Sequence, residues 1–258
     1  MSSPTTELYS ALQILYTHFN NTLFNKELPD ILFTNQRQSG MMGYFAPNRW
    51  TSIEGKNCHE IAINPSYVGR ASLIALMQTL VHEMTHCWQQ CYAKPSRSGY
   101  HNKEWASKMI AIGLMPSATG SPGGAIVGQR MADYPVPKGK FILSCTGLLK
   151  DNRFKLPWVD RFALTAGRPR DAEQLHMALD SAIENKVNDM LLEINAEDMR
   201  EQLYTPLAIS FGTNAFAAVA PYNKMKSKYS CHGCNLNVWG KSRLNLKCVD
   251  CNYILSED

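Results

Sequence analysis

Several absences narrow the reading of this 258-residue chain before any motif is considered. It has no run of about 18 consecutive apolar residues, so no membrane-spanning helix is expected. Its first residues (MSSPTTELYSALQILYTHF) lack a basic start followed by a continuous apolar stretch, so no secretory signal is expected and a cytoplasmic location is. No internal repeat is apparent, which sets aside solenoids and propellers. Two local absences say more. Glycine and proline are missing from Arg70 to Gln90, which permits one uninterrupted helix. Acidic residues are missing from Tyr222 to Val249, which leaves six basic residues there without local counter-charge. An apolar share of 45% and a charged share of 19% are ordinary for a globular chain with a sizeable core.

The glycine-free stretch carries His82-Glu83-Met84-Thr85-His86. Leu73, Leu76, Met77, Leu80, Val81 and Met84 recur at helical spacing around it. Histidines at i and i+4 lie one above the other on one helix face, so both imidazoles reach a single zinc ion. Glu83 sits about 100° around the helix, where a carboxylate can take a proton from a water on the metal's open side. A zinc that keeps a position for water needs a third protein ligand. His101, fifteen residues after His86, is the first candidate, and Glu104 is its rival because carboxylates also bind zinc. An H-E-x-x-H match arises by chance in roughly 1% of chains this long.

A second constellation lies near the other end. Cys231-x-x-Cys234 is followed after thirteen residues by Cys248-x-x-Cys251. Two such pairs fit a four-cysteine structural zinc site, with disulfides as the alternative. The intervening NLNVWGKSRLNLK is β-prone and contains a glycine, as a short hairpin requires. A tail of about 30 residues buries too little apolar surface to fold alone, so a metal would supply the missing stability. The other cysteines are Cys58, Cys87, Cys91 and Cys145; Cys87 and Cys91 are on the zinc helix but off its histidine face, and all four read as small buried hydrophobes.

The net charge of +4 is unevenly spread. Lys224, Lys226, Lys228, Lys241, Arg243 and Lys247, interleaved with Tyr222, Tyr229 and Trp239, suit a polyanion such as DNA, the alternative being an ordinary solvated surface. The segment Asp171 to Glu201 is the reverse, with nine acids against two bases, and Asp171 to Leu203 has a helical apolar period. Along the rest of the chain, Thr5 to Phe24 reads as an amphipathic helix, Ile31 to Thr34 and Cys58 to Asn64 as strands, and Gly40 to Trp50 as a hairpin arm. His101 opens a helix that Gly113 and Pro116 end. Met115 to Lys140 reads as Gly/Pro-rich loop and Lys140 to Leu149 as a strand. Tyr44, Tyr92 and Tyr100 are candidates for stabilising an oxyanion by sequence proximity alone, with packing as the alternative.

With these residues in view, the chain resembles the SprT-like metalloprotease family over most of Leu8 to Met115, and again at Tyr229 to Tyr253. The resemblance rests on the early Leu-Tyr and Phe-Asn helix, on His82-Glu83-x-x-His86, on His101-Asn102-Lys103-Glu104-Trp105 and on the four-cysteine ribbon. The stretches Thr119 to Gly124 and Gly128 to Met131 look like bacterial, plasmid- or phage-borne members. The resemblance implies His82, His86 and His101 as ligands of a catalytic zinc and Glu83 as general base. It also implies an α+β fold, a minimal zincin-like core of helices on a small antiparallel sheet, with a small C-terminal zinc ribbon. The expected organisation is a catalytic core over 1–116, a loop, strand and acidic helical insertion over 117–222, and the ribbon over 223–258. Cleavage of DNA-associated or DNA-crosslinked proteins follows from the family's eukaryotic members, making DNA an expected partner. The alternative is a zinc-stabilised DNA-binding or regulatory protein without protease activity.

Overall fold

Ser3 and Pro4 begin the first helix as their chemistry dictates. The Ser3 hydroxyl accepts the Thr6 amide at 3.3 Å, and Pro4 occupies the first turn, where its missing N–H costs nothing. In the computed structural model, which describes residues 2–38, 40–69, 71–150, 154–163, 201–211 and 226–257, this helix (α1) runs Pro4–Leu23. Its Ala11, Leu12, Leu15, Tyr16, Phe19 and Leu23 are buried, the helical stripe expected of an amphipathic element.

Three strands follow: β1 (Ile31–Asn35), β2 (Gly43–Thr51) and β3 (Asn57–Ile63). They form one sheet in the order β1-β3-β2. The sheet is mixed where an antiparallel one was expected. The chain crosses from β1 to the far edge, lays down β2, and returns between them, so β3 is antiparallel to β2 and parallel to β1. Phe33, Ile61 and Ile63 give the buried face, and the Tyr16 ring meets Phe33 edge-on at 5.9 Å. A register shift between Ala46 and Trp50 accommodates Pro47 and the left-handed Asn48.

After a short helical turn, α2 (Pro65–Val68), the glycine-free stretch forms α3 (Leu73–Tyr92), the central helix. Leu76, Met77, Leu80, Val81 and Met84 are buried against α1 and the sheet. The next helix, α4 (Lys103–Ala111), starts two residues later than expected. Asn102 is its cap, its side chain accepting the Trp105 amide at 3.0 Å, and His101 lies just before it on a two-residue strand, β4 (Tyr100–His101). Gly113 ends the helix at φ +91, where a Cβ would meet the Lys140 amide nitrogen at 2.8 Å.

The stretch expected to be loop holds three short strands: β5 (Leu114–Ser117), β6 (Gly128–Gln129) and β7 (Ala132–Pro135). β7 pairs with β5, and β6 pairs with β4. The strand expected at 140–149 is instead a helix, α5 (Lys140–Lys150). Its buried Phe141, Ile142, Cys145, Leu148 and Leu149 follow the period of a helix, which the run of apolar residues hid. Packing therefore does not stop at residue 116: Met131, α5, Phe154, Leu156, Leu203 and Leu207 all belong to the same core. Of the expected acidic helix, residues 171–200 lie outside the described residues; 201–203 are helical.

The chain divides into two compact units, Met1–Ala217 and Ala218–Asp258. In the second, β8 (Lys226–Ser230), β9 (Asn237–Lys241) and β10 (Ser256–Glu257) form an antiparallel sheet in the order β10-β8-β9. Helices with small sheets, and a separate small β unit, make the fold α+β. Among the described residues no helix is long and apolar enough to cross a membrane.

Candidate metal centres

α3 places His82 and His86 one turn apart, and β4 brings His101 opposite them. His82 Nε2 lies 3.2 Å from His101 Nε2, and His86 Nε2 lies 3.1 Å from it. Zinc–nitrogen bonds of about 2.0–2.1 Å at tetrahedral angles require ligand nitrogens about 3.3 Å apart. Beneath the three rings lies Trp105, fully buried, with its centroid 4.4 to 5.3 Å from theirs. Glu104, the rival ligand, points elsewhere: its carboxylate accepts the Lys94 amide at 2.8 Å and ties the preceding loop to α4.

The hydrogen bonds behind the histidines show what the cluster is shaped to hold. His82 Nδ1 faces Asp133 Oδ2 at 2.9 Å, and His101 Nδ1 faces the Gly128 carbonyl at 3.3 Å. Both partners are acceptors, so each Nδ1 carries the proton and each neutral ring presents a lone pair at Nε2. Two lone pairs 3.2 Å apart repel unless a cation or a proton lies between them. The residues present therefore fit a bound metal ion. Asp133 itself is buried, and its Oδ1 has no hydrogen-bond partner among the described residues. Its Oδ2 accepts the His82 Nδ1–H, a donor that a metal at Nε2 would polarise further.

The titration of these groups follows. Burial opposes charge on His82, but the Asp133 hydrogen bond and the charges of Glu83 and Asp133 outweigh it and raise its pKa. Burial, and then the neighbouring His82 and His101, hold His86 well below its ordinary value. Burial and His82 bring His101 down to about 4, against some support from the Gly128 carbonyl.

Glu83 is buried beside the cluster, and burial pushes its carboxyl above the ordinary carboxylate value. His82 and a hydrogen bond from the Phe45 backbone act in the opposite sense. That backbone contact requires β2 to lie close over α3. Gly43 makes this possible, since a Cβ there would come 2.8 Å from the Ala62 carbonyl oxygen and 3.1 Å from Thr79 Cγ2.

Asp133 was missed at the level of sequence because it lies in the stretch read as loop. A signal was available: it is the single acidic residue between Glu104 and Asp151. Of the three tyrosines, Tyr44 donates to Glu60 at 3.0 Å and Tyr92 bonds to the Glu27 carbonyl. Tyr100 precedes His101 on β4, with the Arg97 guanidinium 5.4 Å from its ring centroid. Neither Tyr44 nor Tyr92 is brought to the histidines.

In the second unit Cys231, Cys234, Cys248 and Cys251 converge, their sulfur atoms all within 4.8 Å of one another, and none forms a disulfide. The Cys234 amide pulls the Cys231 thiol down to about 7, and the Cys234 side chain pushes Cys251 up to about 12. Four sulfurs in this arrangement are compatible with zinc. The β8–β9 register sets Lys226 opposite Lys241 and Lys228 opposite Trp239, so these four share one face of the hairpin. Trp239 is 62% exposed there. Arg243 and Lys247 lie in the segment after β9, and Lys224 lies outside the described residues.

The SprT-like family model matches residues 12–122. An uncharacterised protein from the mucB 3' region of Salmonella typhimurium is 43% identical over 51 residues, which is 20% of this chain and 69% of that protein. No solved structure matches.

Proposed function

We propose, for a chain that belongs to the SprT-like family and so to a metalloprotease-type family, that it is a zinc-dependent endopeptidase acting on DNA-associated or DNA-crosslinked proteins. The observation that carries the reading is the meeting of three histidine Nε2 atoms, those of His82 and His86 lying 3.2 and 3.1 Å from that of His101, beside a buried glutamate. His82, His86 and His101 are the residues that would hold the catalytic zinc. A zinc ion there supplies Lewis acidity toward a peptide carbonyl and lowers the pKa of a bound water. The chain's own residues do the rest. Glu83, held by the Phe45 amide, accepts a proton and returns it to the leaving amine. Asp133 orients His82, Gly128 orients His101, and Trp105 walls the rings from below.

The four cysteines would hold a second, structural zinc. The partner reading rests on the hairpin face of Lys226, Lys228, Trp239 and Lys241, which combines positive charge with an exposed ring able to stack on a base. Arg243, Lys247 and Lys224 extend the basic segment in sequence.

The test is cleavage of a DNA-binding protein by the full chain, with and without single-stranded DNA, comparing wild type with Glu83→Gln. Fragments that need Glu83, and that increase with DNA, are expected. Equal cleavage by Glu83→Gln sinks the assigned base. Fragments that need Glu83 but ignore DNA leave a general metalloprotease. Absence of fragments from protein shown to hold zinc and bind DNA favours a binding module.

A further inference from the structure

Cys87 and Cys91 repeat on α3 the i, i+4 spacing of His82 and His86, on a different face of the helix. That face meets β3, where His59 shares a sheet face with Ile61 and Ile63 and its ring lies edge-on to Phe45 at 5.4 Å. Cys91 Sγ lies 3.7 Å from His59 Nε2, and the ligand atoms of His59, Cys87 and Cys91 are all within 4.8 Å of one another. Cys87 is fully buried, as a small hydrophobe would be, but Cys91 is exposed. Burial as a small hydrophobe therefore explains Cys87 but not Cys91.

We propose that His59, Cys87 and Cys91 form a third metal site, for a thiophilic closed-shell cation, zinc or copper(I). Two thiolates and an imidazole are a ligand set that both ions accept. A sulfur and a nitrogen on one tetrahedral zinc are about 3.6 Å apart, close to the spacing present. Three ligands satisfy copper(I); zinc takes water as its fourth on the exposed Cys91 side. A disulfide is the competing fate, and helix geometry disfavours it. Residues at i and i+4 hold their Cβ atoms about 5–6 Å apart, against about 3.5–4.5 Å in a disulfide. The last turn of α3 would have to unwind, whereas an ion bridges the gap as it stands.

The protons balance as follows. Asn48 N–H donates to His59 Nδ1 at 2.9 Å, so the neutral ring carries its proton on Nε2, toward Cys91. Binding releases two thiol protons to solvent and transfers the ring proton from Nε2 to Nδ1. The Asn48 N–H then faces the new Nδ1–H, so the irregular part of β2 around Asn48 must move away from the ring on loading. The bound ion would tie β3 to the final turn of α3, the helix that carries both metal-facing histidines.

The experiment counts ions on the reduced full chain after loading with zinc or with copper(I) and removal of excess. Wild type should hold one ion more than the histidine and ribbon centres account for. Cys91→Ser and His59→Gln should each lose that one ion, with helix content unchanged, and His86→Ala should lose a different one. The arm in which the extra ion appears identifies zinc or copper(I). On loading, the Asn48 amide resonance should shift in wild type and stay put in Cys91→Ser. No extra ion in either arm overturns the site, as does a count that survives both substitutions. A loss in Cys91→Ser that His59→Gln does not share overturns the three-ligand arrangement.

Discussion

The histidine centre is set into a core that exists without it. Around His82, His86 and His101 are Leu80, Val81, Met84, Trp105 and Met109, all fully buried and continuous with α1, the sheet and α5. The cysteine centre has almost nothing behind it. Its buried cluster is Tyr229, Cys231, Cys248 and Leu255, so two of the four residues are themselves candidate ligands. In the first unit, packing positions the candidate ligands, and a metal there would add chemistry. In the second, the four cysteines stand where packing would, and a metal there would add the fold.

The sharpest way to break that contrast is to remove metal. Structural zinc contributes roughly 10–16 kcal/mol in small zinc-dependent domains, more than a domain of this size can spare. A strong chelator should abolish amide-exchange protection at Tyr229 and Cys231 while leaving it at Leu80 and Met84. Persistent protection of Tyr229 would mean that the ribbon supports itself. The converse perturbation is Trp105→Ala, which should cost the first unit about 3–5 kcal/mol by denaturant midpoint, with zinc bound or absent. A loss seen only with zinc bound would show that Trp105 serves the metal rather than the core.

How much of this was legible in sequence depends on how local each signal was. His82, Glu83 and His86 sit on one helix, so spacing alone placed them. The convergence of the four cysteines was equally legible, because two tight C-x-x-C pairs each bring their own sulfurs together. His101 converges as the resemblance implied, but from a strand rather than a helix, since Asn102 is the better cap. The mixed sheet was not legible: strand direction is set by where the chain crosses, which no local pattern records. Neither was α5, whose run of Phe141, Ile142 and Leu143 looks alike in both periods until its buried face is seen. Asp133 and the His59–Cys91 approach depend on contacts between segments 51 and 32 residues apart.

Asp133 provides a smaller test of the same contrast. If the first unit tunes a metal that it does not need for folding, Asp133→Asn should lower zinc affinity by about 10–100-fold and barely move the metal-free melting point. The amide keeps the shape but not the charge that compensates His82. Competition with a chromophoric chelator measures the affinity. An unchanged affinity would leave Asp133 as a packing residue; a collapsed melting point would make the His82–Asp133 pair part of the fold.

Glu83 gives the smallest effect and one with a definite sign. Burial raises its carboxyl pKa in the metal-free protein, so folding favours the protonated form. The stability this contributes is fully present below the unfolded pKa and is lost as pH rises through the folded one. Metal-free Glu83→Gln is neutral throughout and should lack that decline. At neutral pH it should therefore melt above the metal-free wild type, and the gap should close on acidification. Zinc reverses the sense, because a cation beside the carboxylate favours its charged form, so the gap should shrink when metal is added. Melting curves of wild type and Glu83→Gln across the acid-to-neutral range, with and without zinc, measure both. Superimposable metal-free curves would show that Glu83 is better solvated than its 7% exposure implies.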